Sequence, residues 1–316
     1  MAKTDPGSAR VRKFGCCPEP LTIDAHGILV RPLPDLAETV AAMRGSDGIE
    51  ADWIYAPPQG VQDFISGEVR LRPFPSRIFG LPQTHELEHP APDDDDHLDF
   101  HLWVLSFFTG MRLTATEAGF LDATPLKPGK LVDFVMLGER SKAVDLAEGF
   151  WTANRGVKLR SRLVAAAIHA LFIAQNPCHL QFERFLYLYT ALDACYALAA
   201  SLNPPPRRPS HAERIAWVCR QFGMTVPAWA RPVASSGVEV ATIRNATLHE
   251  ALFMGEPLGF ALHGVGTNHN LPLEMEALVC RLLVALLGAP NADCPSSEHL
   301  AQSGARISGE LASSGV

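Results

Sequence analysis

The sequence predicts an α+β protein: an N-terminal mixed α/β domain of unassigned function over residues 1–157, an all-α helical bundle over 158–290, and a disordered tail over 291–316. Three observations carry this division. Before Gly156 the apolar runs are short and alternate with Pro and Gly, as strands and turns do. After Gly156 apolar residues recur every three or four positions over long stretches without Pro, which is helical periodicity. Beyond Pro290 the chain is small and polar, with too little apolar surface to order itself.

Residues 1–20 read as a loose lead-in. Strand-length apolar runs follow at Leu21–Ile23, Gly27–Val30, Asp52–Tyr55 and Glu68–Leu71, with one helix at Leu36–Met43. Gly80 to Pro92 is punctuated by proline, and Asp93–Asp96 reads as a solvated loop or helix start. Helical spacing begins at His97–Leu113, carried by Phe100, Trp103, Val104, Phe107 and Phe108, and returns at Lys142–Asn154. In the second part helices are expected at Lys158–Gln175, His179–Ser201, Ser210–Gln221, Ser235–Phe253 and Leu271–Leu287. Asn176-Pro177 and Asn203 with Pro204–Pro206 separate the first three, and Ser210 with Glu213 has capping-box spacing. Gly255–Asn270 reads as a loop holding His263 and His269.

With 316 residues, 47% of them hydrophobic, the chain has enough apolar material for packed domains. The start, MAKTDPGSAR, lacks the apolar core of a secretory signal. The longest apolar runs, Leu163–Ala174 and Leu282–Ala289, fall short of a membrane span. Seven cysteines, without a CxxC pair, suggest neither a disulfide framework nor a zinc ribbon. A cytoplasmic location is therefore expected. The net charge of −7 argues against a protein that coats nucleic acid, but its distribution is uneven. Residues 1–157 carry −8, residues 158–290 carry +3 and the tail −2. The helical part is the basic one, which permits RNA contact.

Within that basic part, Ile243-Arg244-Asn245-Ala246-Thr247-Leu248-His249 stands out. On a helix, Asn245 and His249 fall within roughly 40° of each other, opposite an apolar face made by Val240, Ile243, Thr247 and Ala251. The set combines a permanent cation suited to phosphate, an amide, and an imidazole that titrates near neutrality. Such a set suits phosphodiester chemistry without a metal. Arginine-histidine spacing alone does not single it out, since Arg162 and His169 show a similar separation. Two features do: Asn directly follows Arg, and a long aromatic helix precedes it. On that helix Asp193 lies in a stripe with Phe182, Phe185, Leu186, Tyr189 and Tyr196. An acid in such a stripe either stays wet at its edge or pairs with a cation, and Arg244 is the expected partner.

The aromatic helix FERFLYLYTALDACYAL, a shorter helix and then IRNATLH together resemble the HEPN superfamily, in the branch that joins an unrelated N-terminal half to a C-terminal HEPN domain. The resemblance covers residues 158–290. It implies a four- or five-helix bundle, a homodimer with the motif facing the dimer cleft, and a metal-independent RNA endonuclease of toxin–antitoxin or antiphage systems, with a cognate antitoxin or defence partner. Carried over by position, Arg244, Asn245 and His249 match the motif and Asp193 matches the acid of the preceding helix. No cofactor or metal is implied. The chain departs from the family in having Asp193 where Glu is commoner, and Glu250 where a small residue is frequent.

Two rival readings remain. HEPN-type modules without catalysis bind or sense RNA, or assemble with partners. Separately, His85-Glu86-Leu87-Glu88-His89 is a literal HExxH, the zinc-peptidase pattern. That chemistry needs both histidines on one sustained helix, and Pro82 and Pro90 leave only a short segment between them.

Overall fold

The computed structural model describes residues 9–46, 48–76, 78–115, 119–120, 123–127, 140–232, 238–249 and 271–290. It has the α+β character expected. The described chain divides into two compact units, one ending at Arg155 and the next beginning at Gly156.

The first unit is built on a four-stranded antiparallel sheet. Its strands are β1 (Arg10–Phe14), β2 (Ile23–Ala25), β3 (Ile28–Pro32) and β9 (His85–His89), in the order β1-β9-β3-β2. Strands β2 and β3 are joined by His26-Gly27, both at positive φ, the geometry of a two-residue type I′ hairpin turn. Between the sheet strands lie α1 (Leu36–Arg44), β4 (Ile49–Glu50), β5 (Trp53–Tyr55), the hairpin β6 (Pro58–Gln62) and β7 (Val69–Pro75), and β8 (Ile78–Phe79). Helix α2 (Asp95–Thr109) follows β9. Then come β10 (Gly119–Phe120), β11 (Ala123–Pro125) and α3 (Ser141–Asn154). Phe14, Ile23, Ile28, Val30 and Leu87 of the sheet meet Leu98, Leu102 and Leu105 of α2 and Val144 of α3 in one core. Asp94 starts α2 by accepting the His97 amide, and Gly110 ends it in the left-handed conformation.

Two expectations are corrected here. The lead-in is not loose throughout, because Arg10–Phe14 pairs along β9 from Arg10 opposite His89 to Phe14 opposite His85. The proline-bounded HExxH segment is a central strand, not a helix or a loop. Its residues alternate between polar and apolar surroundings with period two. His85, Leu87 and His89 are buried, while Glu86 and Glu88 face the other way and pair with Arg31 of β3 at 2.6 and 3.2 Å. A strand puts the two histidines on one face but too far apart to ligate one zinc ion in the peptidase manner, so that reading ends.

The second unit has no strand among its described residues. Its helices are α4 (Lys158–Ala174), α5 (Gln181–Leu202), α6 (His211–Gln221), α7 (Glu239–His249) and α8 (Leu271–Leu286), with a 3-10 turn at Ala228–Ala230. All lie close to the expected spans. The flanks of the expected Ser235–Phe253 helix, the loop with His263 and His269, and the tail from 291 fall outside the described residues. Helix α5 is long and apolar enough, by length and composition, to cross a membrane. In this unit it is the hub, with α4, α6, α7 and α8 packed around it.

Burial of His85 makes a testable demand. Its ring is inaccessible, Nε2 accepts the Leu21 amide at 3.0 Å, and Nδ1 lies 3.0 Å from Thr84 Oγ1. Protonation would turn Nε2 into a donor facing a donor. Burial lowers the His85 pKa from 6.5 to about 4. The unfolded chain therefore binds the proton first, and stability that is full above pH 6.5 falls as pH drops towards 4. The expected slope from this residue is up to about 1.4 kcal/mol per pH unit, read by urea denaturation across that window. His85→Gln, which can accept the same amide without titrating, should flatten the slope, and an unchanged slope would contradict a neutral buried ring.

Candidate functional site

Helix α5 buries Phe185, Leu188, Tyr189, Leu192, Cys195 and Leu198, whereas Phe182, Leu186 and Tyr196 are only partly covered. The buried line is thus rotated from the expected stripe, and Asp193 sits at its margin with a third of its side chain exposed (36%). The acid is paired, but the guanidinium that lies on it belongs to Arg214 of α6, with Nη1 donating to Oδ1 at 2.9 Å. This corrects the expectation that Asp193 holds Arg244. Arg214 is 10% exposed, stands 4.9 Å over the Tyr196 ring, and its Nε has no hydrogen-bond partner among the described residues. It is a largely buried cation held by one carboxylate and one aromatic ring.

Around this pair the fold gathers further groups. Helix α6 begins at His211 behind Ser210, whose amide donates to Glu213 Oε2 at 2.8 Å, as the capping spacing predicts. That start places His211 Nδ1 3.0 Å from the Tyr189 hydroxyl of α5. Burial pushes the Tyr189 phenol up to about 12, with the Asp193 charge adding and Arg244 and Arg214 opposing. The His211 imidazole is moved below its ordinary value, first by burial and then by Arg214, with Arg244 and Arg208 acting in the same sense and Asp193 against. Three guanidinium groups and one carboxylate thus act on one imidazole. The surplus of positive charge suits an anion.

Helix α7 carries the motif into this neighbourhood. Of the expected apolar face Val240 is buried and Ile243 partly covered, the Thr247 side chain and Ala251 lie outside the described residues, and Ala241, beside that face, is buried as well. Arg244 is half-buried, with Nη1 donating to Asn245 Oδ1 at 2.9 Å, and Asn245 itself is exposed. His249 is the last residue of the helix, and its side chain lies outside the described residues, as does Glu250. Of the four residues read from the sequence, Asp193 and Arg244 therefore belong to one electrostatic cluster. His211 and Arg214 were not read. Their signal was a histidine and an arginine one turn apart directly behind a capping box.

The first unit holds a second constellation. His89 of β9, His97 and His101 of α2 and Glu148 of α3 bring their ligand atoms within 4.8 Å of one another. Glu148 Oε2 lies 3.3, 2.9 and 3.5 Å from the Nε2 atoms of His89, His97 and His101. The hydrogen bonds from His89 and His97 hold the Glu148 carboxyl well below the usual carboxylate range. The sequence reading assigns no metal ligand, yet these are metal-ligating side chains.

No protein-family model, no curated protein and no solved structure matches this chain.

The Asp193–Arg214 pair predicts an unequal pair of stability changes. Asp193→Ala leaves the Arg214 cation poorly compensated, and the expected loss is roughly 1–3 kcal/mol, below that of a fully buried pair because Asp193 reaches solvent. Arg207→Ala removes an exposed pair with Glu213 and should cost under about 1 kcal/mol. Chemical denaturation compares them, and equal small losses would show that Asp193 is merely solvated.

Proposed function

We propose that the helical unit is a HEPN-type endoribonuclease that cuts RNA without a metal ion, acting as a homodimer in the cytoplasm within a toxin–antitoxin or antiphage system. The observation that carries the reading is the cationic cluster of Asp193, His211, Arg214 and Arg244 beside the helix that bears Arg244-Asn245-x3-His249.

RNA brings its own nucleophile, the 2′-hydroxyl, so the protein has to move protons and stabilise charge on phosphorus. His249 is assigned as general acid or base, Arg244 as the cation on the phosphorane oxygens, and Asn245 as the group that orients them. Asn245 Oδ1 accepting from Arg244 supports that orienting role, since it fixes the fork of the guanidinium. Asp193 acts one step back: it holds Arg214 and so sets the charge around Tyr189 and His211. One imidazole serves one side of an in-line displacement, and the second comes from the motif of a second copy across a two-fold axis.

A non-catalytic RNA-binding or assembly module is the rival reading, and one observation favours it. Asp193 is committed to Arg214, as a structural acid would be.

Cleavage of a labelled RNA with no divalent ion added separates the two. His249→Ala should lower the rate by about 100-fold or more while RNA affinity changes little. Arg244→Lys should fail similarly, because a point charge cannot reproduce the bidentate fork. Products should end in 2′,3′-cyclic phosphate, and an RNA with 2′-deoxy at the scissile position should bind uncut. Cutting of that deoxy substrate would refute the mechanism. Unchanged RNA binding with no cleavage by the wild type would favour the rival. Should His211→Asn fall as far as His249→Ala, the second proton belongs to His211 and not to a second copy.

A further inference from the structure

We propose that His89, His97, His101 and Glu148 form a binding site for one zinc ion, or a late first-row divalent ion of the same coordination, that ties β9, α2 and α3 together. The donors are three imidazole nitrogens and one carboxylate oxygen, a set that zinc accepts. A tetrahedral ion with bonds of about 2.0–2.1 Å separates its ligands by about 3.4 Å. The three distances from Glu148 Oε2, 2.9, 3.3 and 3.5 Å, bracket that edge.

The polarity of the rings points the same way. His101 is inaccessible to solvent, and its Nδ1–H donates to the His97 carbonyl at 3.1 Å. Nε2 therefore carries the lone pair. That atom has no hydrogen-bond partner among the described residues, and a carboxylate oxygen, Glu148 Oε2, lies 3.5 Å from it. Two electron-rich atoms this close, one of them on a fully buried ring, repel, and a cation between them satisfies both. Outer contacts of the kind that orient metal ligands are present too. The His97 carbonyl fixes the His101 tautomer, and Thr152 Oγ1 donates to the other Glu148 oxygen at 3.3 Å. Trp151 stacks on the His97 ring at 4.6 Å and closes that side.

His89 and His97 set a condition on the ion. Their Nδ1 atoms accept the amides of Ala91 and Asp93 at 3.1 and 3.2 Å, which puts the ring protons on Nε2. An ion entering at Nε2 shifts each proton from Nε2 to Nδ1, where it faces an amide N–H, so the two amides, both in the loop between β9 and α2, must turn aside. An imidazole-seeking metal can do this, whereas magnesium and calcium, which prefer oxygen, do not compete. With four protein ligands the site is of the closed, structural type.

The full chain, treated with a chelator, dialysed and checked for fold by circular dichroism, is titrated with Zn2+ and its bound metal measured by mass spectrometry. About one zinc per chain is expected, with a rise in Tm on zinc addition. Cobalt(II) in its place should give the intense visible bands of a four-coordinate ion. His101→Gln and Glu148→Gln should each lose stoichiometric zinc and the Tm rise, while His26→Ala, an exposed histidine outside the cluster, keeps both. A folded wild-type chain that binds no zinc, or that responds only to magnesium or calcium, would overturn the proposal. So would either cluster variant that still holds one zinc. Should the variants fail to fold, the wild-type titration and the cobalt spectrum decide alone. None of these readouts involves RNA, so the outcome is independent of the ribonuclease reading.

Discussion

The first unit depends on keeping the two faces of one strand apart. On β9 the buried face presents His85, Leu87 and His89, and the other presents Glu86 and Glu88 to Arg31. A slip of one residue would drive both glutamates into the core and expose the leucine, so the register against β1 and β3 is strongly specified. Everything beside the strand inherits that register. Leu87 meets the leucines of α2, His85 takes the Leu21 amide, and His89 reaches the helices that carry His97, His101 and Glu148. Five residues thus position both the apolar core and the polar cluster of this unit.

In the second unit the equivalent role falls to a helix. Helix α5 is covered on several sides, so its buried residues are spread widely around the axis and a charged residue is tolerated only at a margin. Asp193 occupies that margin, and its partner is a cation that is itself mostly covered. The pairing matters less for stability than for placement, since a buried ion pair contributes little net energy but strongly resists being broken. It keeps Arg214 beside Tyr189 and His211, where an unpaired arginine of that length would swing to solvent.

Much of this was legible in the sequence, and the exceptions have physical reasons. The helices of the second unit were readable because a three-to-four residue period persists over long stretches and Asn-Pro pairs end them. Strand β9 was not. Its HELEH pattern alternates cleanly, but two of its three inward residues are histidines, which count as polar until partners are found for them. The metal-ligating cluster was hidden for a related reason. His97 and His101 sit one turn apart inside an aromatic helix, and Glu148 is 59 positions from His89. For Asp193 the acid was visible and its partner was not. Arg214 and Arg220 of α6, Arg244 of α7 and Arg281 of α8 all follow it, and sequence spacing does not say which helix lies against it.

The hairpin β6–β7 has a practical consequence. Both strands are exposed along their length, and Phe64 and Ile65 at the tip are fully open to water. Nothing apolar is gained by its pairing beyond the ladder itself, and a lone two-stranded ribbon is marginal in water. Its amides should exchange with solvent deuterium through local opening, long before those of β9, without any unfolding of the unit around it. Limited proteolysis should likewise nick the chain first between Asp63 and Gly67 and leave the remainder of the unit intact, which makes this hairpin the natural place to shorten or tag the molecule.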